Sequence, residues 1–234
     1  MKKVLFTLSL CWFDTITVSV IALIILFIFS NSAFASPTST FNQTINAGTL
    51  SVDIVDGSYV SVGSPSVSMS NATFSMNCQA STGTFGTATQ QIYIENPDAA
   101  DNGWTVTLAA SSPTDVWDSA GTDFDFNDGA GAPAGCSDGG DTDSLAGQMT
   151  VNPSVGTLST GQCSGCTTNN ITKGSQSSYA EGVTDSITIL TGAAASDDIG
   201  DWTLQGVSIS QQIPSEQPAA SDYSINLILT VATL

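Results

Sequence analysis

The sequence predicts an all-β protein, an Ig-like or Greek-key β-sandwich with a signal peptide before it and one long acidic insertion within it. Three observations predict this. Apolar residues recur with a period of two, turn residues punctuate those runs at short intervals, and no stretch beyond residue 35 keeps a helical period.

The N-terminus reads as an export signal. Lys2 and Lys3 form a basic start, Ile16 to Phe29 an apolar run, and Asn31-Ser32-Ala33-Phe34-Ala35 a small-residue end. An uncleaved anchor is the competing reading, because Leu5 to Phe13 lengthens the apolar stretch. Asp14 interrupts that stretch, however, and a charge at mid-membrane is costly. Cleavage after Ala35 is therefore expected, leaving residues 36–234 as a single sandwich domain with no membrane insertion.

The strand candidates follow in order. Phe74, Met76 and Cys78 alternate with Ser75 and Asn77. Ile92 and Ile94 alternate with Gln91 and Tyr93, and Trp104, Val106 and Leu108 with Thr105 and Thr107. Ile187 and Ile189 continue the pattern, and Tyr223, Ile225, Leu227, Leu229 and Val231 form its longest series. Asp56-Gly57, Gly63-Ser64-Pro65, Asn96-Pro97-Asp98 and Asn102-Gly103 supply the turns between such runs. In the run from Trp202 to Ile209 the apolar phase slips at Gln205-Gly206, which predicts a β-bulge at Gly206.

Asp115 to Asp143 breaks this pattern. It holds eight of the 20 acidic residues that follow the signal, together with six glycines. Insertions of this length in compact domains are functional or disordered. Within it, Asp123-Phe124-Asp125-Phe126-Asn127-Asp128-Gly129 alternates oxygen side chains ahead of a glycine turn. Calcium collects about 6–8 oxygen ligands around one point, and such a run can supply several of them. The spacing departs from an EF-hand loop: the glycine falls one place late, and Ala134 stands where the bidentate glutamate belongs. Asp138, Asp141 and Asp143, with Asp115 and Asp118, are the candidates to complete a different calcium site, the competing reading being a solvated acidic surface.

Cys78, Cys136, Cys163 and Cys166 remain after the signal. An even number in an exported chain predicts disulfides, expected as Cys163–Cys166 within one polar loop and Cys78–Cys136 between a strand and the insertion. Cys163-Ser164-Gly165-Cys166 also fits a redox motif or half a zinc site.

Composition excludes several functions. Lys173 is the one basic residue beyond the signal, so nothing neutralises a phosphate backbone and nucleic acid is not a partner. The chain has no histidine or arginine, which removes histidine-based triads and arginine phosphate clamps. An enzyme is not expected; a secreted hydrolase with paired carboxylates is the one catalytic alternative left. Trp104 and Trp202 run in phase with strand residues and read as core, whereas Trp117 borders the insertion and reads as either a sugar-stacking ring or a plug under the loop.

Trp104-Thr105-Val106 and Trp202-Thr203-Leu204, set far apart in a Ser/Thr-rich β body behind an export signal, resemble the paired Trp-x-Leu motifs of the WxL-type surface proteins of Gram-positive bacteria. The run from Ile213 to Tyr223 is also similar to the lead-in to the last strand of adhesin and fimbrial sandwiches. The first resemblance implies an extracellular, cell-surface module attached non-covalently to wall glycan, with Trp104, Trp202 and Leu204 as motif residues. The second implies a subunit that binds copies of itself by donating a strand.

Overall fold

The structure is a computed structural model and describes residues 17–21, 23, 40–46, 48–99 and 102–234. The chain divides into two units, Met1–Ile45 and Asn46–Leu234. In the first, residues 17–21 are helical; most of the predicted signal, including its cleavage site after Ala35, lies outside the described residues. Among the described residues no helix is long and apolar enough to cross a membrane.

The second unit is an all-β sandwich of antiparallel strands. In chain order these are β1 (Ser51–Val55), β2 (Gln79–Phe85), β3 (Gln91–Asn96), β4 (Trp104–Ala110), β5 (Asn127–Asp128), β6 (Gly147–Asn152), β7 (Thr157–Thr160), β8 (Ile171–Lys173), β9 (Ser177–Ser178), β10 (Ser186–Gly192), β11 (Gly200–Gln205), β12 (Val207–Ile213) and β13 (Leu227–Thr233). They form three sheets, ordered β1-β3-β11-β7, β13-β4-β10-β8 and β2-β12-β6-β5, with β9 added beside β6. Apart from β5 with β6, no neighbouring strands in these orders are consecutive in sequence, so long-range crossings rather than a meander build the fold.

Period-two alternation creates the core. Along β4, Trp104, Val106 and Leu108 are buried while Thr105 and Thr107 are not. In β10 the alternation shifts where the register slips between Thr188 and Leu190, so Ile189 and Leu190 are buried side by side. Trp104 on one sheet and Trp202 on another meet with ring centroids 5.5 Å apart. Opposite Trp104 in the β10 register stands Gly192, where a Cβ would come 2.3 Å from the indole, so the ring fits there because position 192 carries no side chain.

The predicted irregularity at Gly206 is a sheet boundary. Gly206 has φ +78° and separates β11 from β12, and its N–H donates to the Gly86 carbonyl, where β2 gives way to β3. One continuous run of chain thus serves two sheets, each with its own inward phase.

Two expected strands are shorter than their alternation suggests. Phe74 and Met76 are exposed and β2 begins only at Gln79. Residues 223–226 lie outside β13, joined to the insertion by an Asp118–Ser224 bridge. Alternation marks which side chains share a face, but a ladder also needs a neighbouring strand to pair with.

Candidate cation site and adjoining groove

The acidic insertion is folded rather than loose. Trp117 and Phe124 pair as an isolated bridge, and Asn127 and Asp128 form β5 against Gln148 and Gly147 of β6. The Cys78–Cys136 disulfide ties the insertion to the start of β2, with Cα atoms 5.5 Å apart. The Cys163–Cys166 disulfide closes its own loop. Asp201 holds that loop, accepting from the Gln162 and Cys163 amides at 2.6 and 2.8 Å and from the Tyr93 hydroxyl at 2.8 Å. With both sulfurs bonded to each other, Cys163, Cys166 and Asp201 do not form a thiolate metal site. Disulfides are typical of extracellular proteins.

Residues 124–128 are buried on both faces of the chain. Phe124 stacks on Trp117 at 5.7 Å and meets Tyr223 edge-on at 5.0 Å, while Phe126 meets Tyr179 edge-on at 5.1 Å. These aromatic anchors drive the run inward and carry Asp125 with it. Asp125 has no exposed surface. Its Oδ1 accepts from the Phe126 amide at 2.6 Å, and its Oδ2 is buried with no hydrogen-bond partner.

Facing it is the turn that carries Asp138, Asp141 and Asp143. Carboxylate oxygens of Asp125, Asp141 and Asp143 lie within 4.8 Å of one another, as do those of Asp128, Asp138 and Asp141. Asp141 belongs to both groups, and both of its oxygens are buried without a hydrogen bond. The others are oriented by backbone amides. Asp128 accepts from Ala130 and Gly139, Asp138 from Gly140 and Asp143 from Leu145, at 2.6–2.9 Å. Glu181 accepts from the Thr142 amide and hydroxyl and steadies the middle of the turn.

Crowded, desolvated carboxylates hold their protons. Burial pushes Asp125 up to about 7, with the negative charges of Asp143 and Asp141 adding to it and amide hydrogen bonds opposing it. Burial raises Asp141 as well, reinforced by Asp143 and Asp128; the Asp143 amide offsets part of this without closing a hydrogen bond. Asp143 is raised by burial and by Glu181, Asp128 and Asp138. Glu181 is lowered by its bonds to Thr142. Lys173, the one basic residue among the described residues, donates to the Gly156 carbonyl.

Of the residues expected to bind a cation, Asp125, Asp128, Asp138, Asp141 and Asp143 converge, and Asp115 and Asp118 belong to neither group. Asp123 lies outside both groups and accepts from the Ser119 amide at 3.0 Å, and Asn127 spends its Nδ2 on the Pro113 carbonyl at 2.6 Å. Two contributors went unnoticed in the sequence. Glu181 had no signal, sitting in a polar turn. Gln211 did: it continues the inward phase of Val207 and Ile209, so a buried amide stands where the pattern calls for an apolar residue.

Beside the insertion runs an open groove of about 530 Å³, bordered by Val52 and Ile54 of β1 and Leu227 and Leu229 of β13 and lined by Trp117 and Tyr223. Trp117 is half-buried, its indole N–H bonded to Gln211. Trp104, Trp202 and Leu204 are in the core, with no face left for a ligand. Comparison with protein-family models, with curated proteins and with solved structures found no match for this chain.

Proposed function

We propose that the chain is an exported cell-surface module that binds an extracellular or wall glycan along the groove beside Trp117. One observation carries the reading: the groove joins aromatic rings, Trp117 and Tyr223, to hydroxyl and amide side chains, among them Ser66, Thr84, Gln90 and Asn226. Sugars need that combination, apolar faces against rings and hydroxyls against polar groups. The two disulfides, the acidic surface and the resemblance to wall-attached proteins support the same reading. Purified wall polysaccharide is the test ligand. Trp117→Ala should abolish retention while the melting transition stays cooperative; unchanged retention overturns the assignment.

A second reading is a subunit that assembles with copies of itself by strand addition. It is favoured by β13, an uncharged edge strand which, among the described residues, pairs with β4 alone. Residues 40–46 are also uncharged and expose Phe41 and Ile45. Deleting residues 36–48 should leave a folded monomer and abolish assembly; assembly that survives the deletion removes this reading.

A further inference from the structure

We propose that the acidic insertion binds two neighbouring calcium ions, with Asp141 as the carboxylate they share. One ion lies among Asp125, Asp141 and Asp143, the other among Asp128, Asp138 and Asp141.

Clustered acids alone do not make a site, because exposed carboxylates can be satisfied by water. Here the satisfaction is missing. Asp125 is fully buried and its Oδ2 has no partner, and the two Asp141 oxygens are buried with none either. A buried acceptor without a donor is costly, and charge multiplies the cost. Three such atoms on two facing residues are acceptors that a bound cation would satisfy.

Geometry sets the size of what fits. Calcium–oxygen distances of about 2.3–2.6 Å put ligands on opposite sides of the ion about 5 Å apart. Each trio spans no more than 4.8 Å, which matches. Five carboxylates around two divalent ions leave a net charge of about −1, a balance that Lys173, the one basic residue among the described residues, does not provide, since it is committed to Gly156. All donors are oxygens, with no imidazole or thiolate, which selects a hard cation. Calcium fits better than magnesium, which keeps most of its water and demands a regular octahedron.

The orienting bonds agree. Asp128, Asp138 and Asp143 each receive backbone amides, which hold a carboxylate in place while leaving lone pairs for a metal. Glu181 fixes the turn between Asp141 and Asp143 through Thr142 and acts as a positioning residue.

The inference does not rest on the groove, and calcium chloride alone tests it. The purified chain, stripped with chelator, should take up two equivalents in a calorimetric titration. Asp138→Asn and Asp143→Asn should each leave one equivalent, and Asp141→Asn should weaken both at least tenfold. Asp56→Asn, in a turn after β1, should keep two. Without calcium, Asp141→Asn should melt at or above the parent temperature, because it removes repulsion, which also shows that it folds. With calcium it should melt below the parent. No saturable binding at millimolar calcium, a stoichiometry of one, or an Asp141→Asn variant that keeps both ions would overturn the proposal.

Discussion

The Trp117 indole donates to Gln211 Oε1 at 2.9 Å. The same glutamine donates from Nε2 to the Asp125 carbonyl at 2.9 Å, so one buried side chain ties the groove to the acidic cluster. Replacing Gln211 with leucine leaves an indole N–H and a carbonyl unpaired, each worth about 1–3 kcal/mol when buried. Denaturant unfolding should show a loss of about 2–4 kcal/mol. Calcium affinity and glycan retention should fall together in this variant, although Gln211 ligates neither.

Chelator should lower the melting temperature of the parent chain. A ligand present at about 100 times its dissociation constant stabilises by about 2.7 kcal/mol per site. Calorimetric scans with millimolar calcium and with chelator should differ by several degrees, and calcium should shift the Asp141→Asn variant by less than it shifts the parent.

The two disulfides should differ sharply in worth. Cys78–Cys136 spans 58 residues, and loop entropy assigns such a closure about 4 kcal/mol. Cys163–Cys166 spans three and constrains the unfolded chain little. Cys78→Ser with Cys136→Ser should lower unfolding free energy by most of that 4 kcal/mol, and removing the other pair should cost much less.

Trp104 and Trp202 pack against each other with their rings tilted by 33°, yet phenylalanine should replace them at unequal cost. Trp202 donates its N–H to the Thr167 carbonyl at 2.8 Å, whereas Trp104 Nε1 is buried without a partner. Trp202→Phe loses a hydrogen bond and orphans a carbonyl; Trp104→Phe removes an orphan. The difference should be about 1–3 kcal/mol in favour of Trp104→Phe, read from paired denaturant curves.

Stability should fall in alkali. Burial raises Tyr179 well above its ordinary value near 10, and its hydroxyl donates to the Leu108 carbonyl. A raised folded pKa contributes stability that is intact below pH 10 and lost as pH rises toward the folded value, because the unfolded chain ionises first. Tyr93 shifts the same way, through burial and then Asp201. Unfolding free energy should therefore decline from pH 9 to 11, and less steeply in Tyr179→Phe.

Much of the fold was legible in the sequence because sheet burial leaves a local trace. The inward residues of β3, β4 and β10 and the break at Gly206 follow from alternation and glycine placement, and cysteine parity points to disulfides, of whose three possible pairings the expected one is found. The acidic run was legible as a candidate site, but its membership was not. Asp123 sits in the same motif as Asp125 yet belongs to neither carboxylate group, while Asp138, Asp141 and Asp143 arrive from a separate turn. Gln211 comes from a strand more than 80 residues away. Alternation, charge and cysteine number can be read along the chain, so the sequence by itself determined the all-β class, the presence of disulfides and the acidic character. Which carboxylates meet, which are buried and which aromatic rings line the groove depend on contacts between distant segments, and those only the tertiary structure decided.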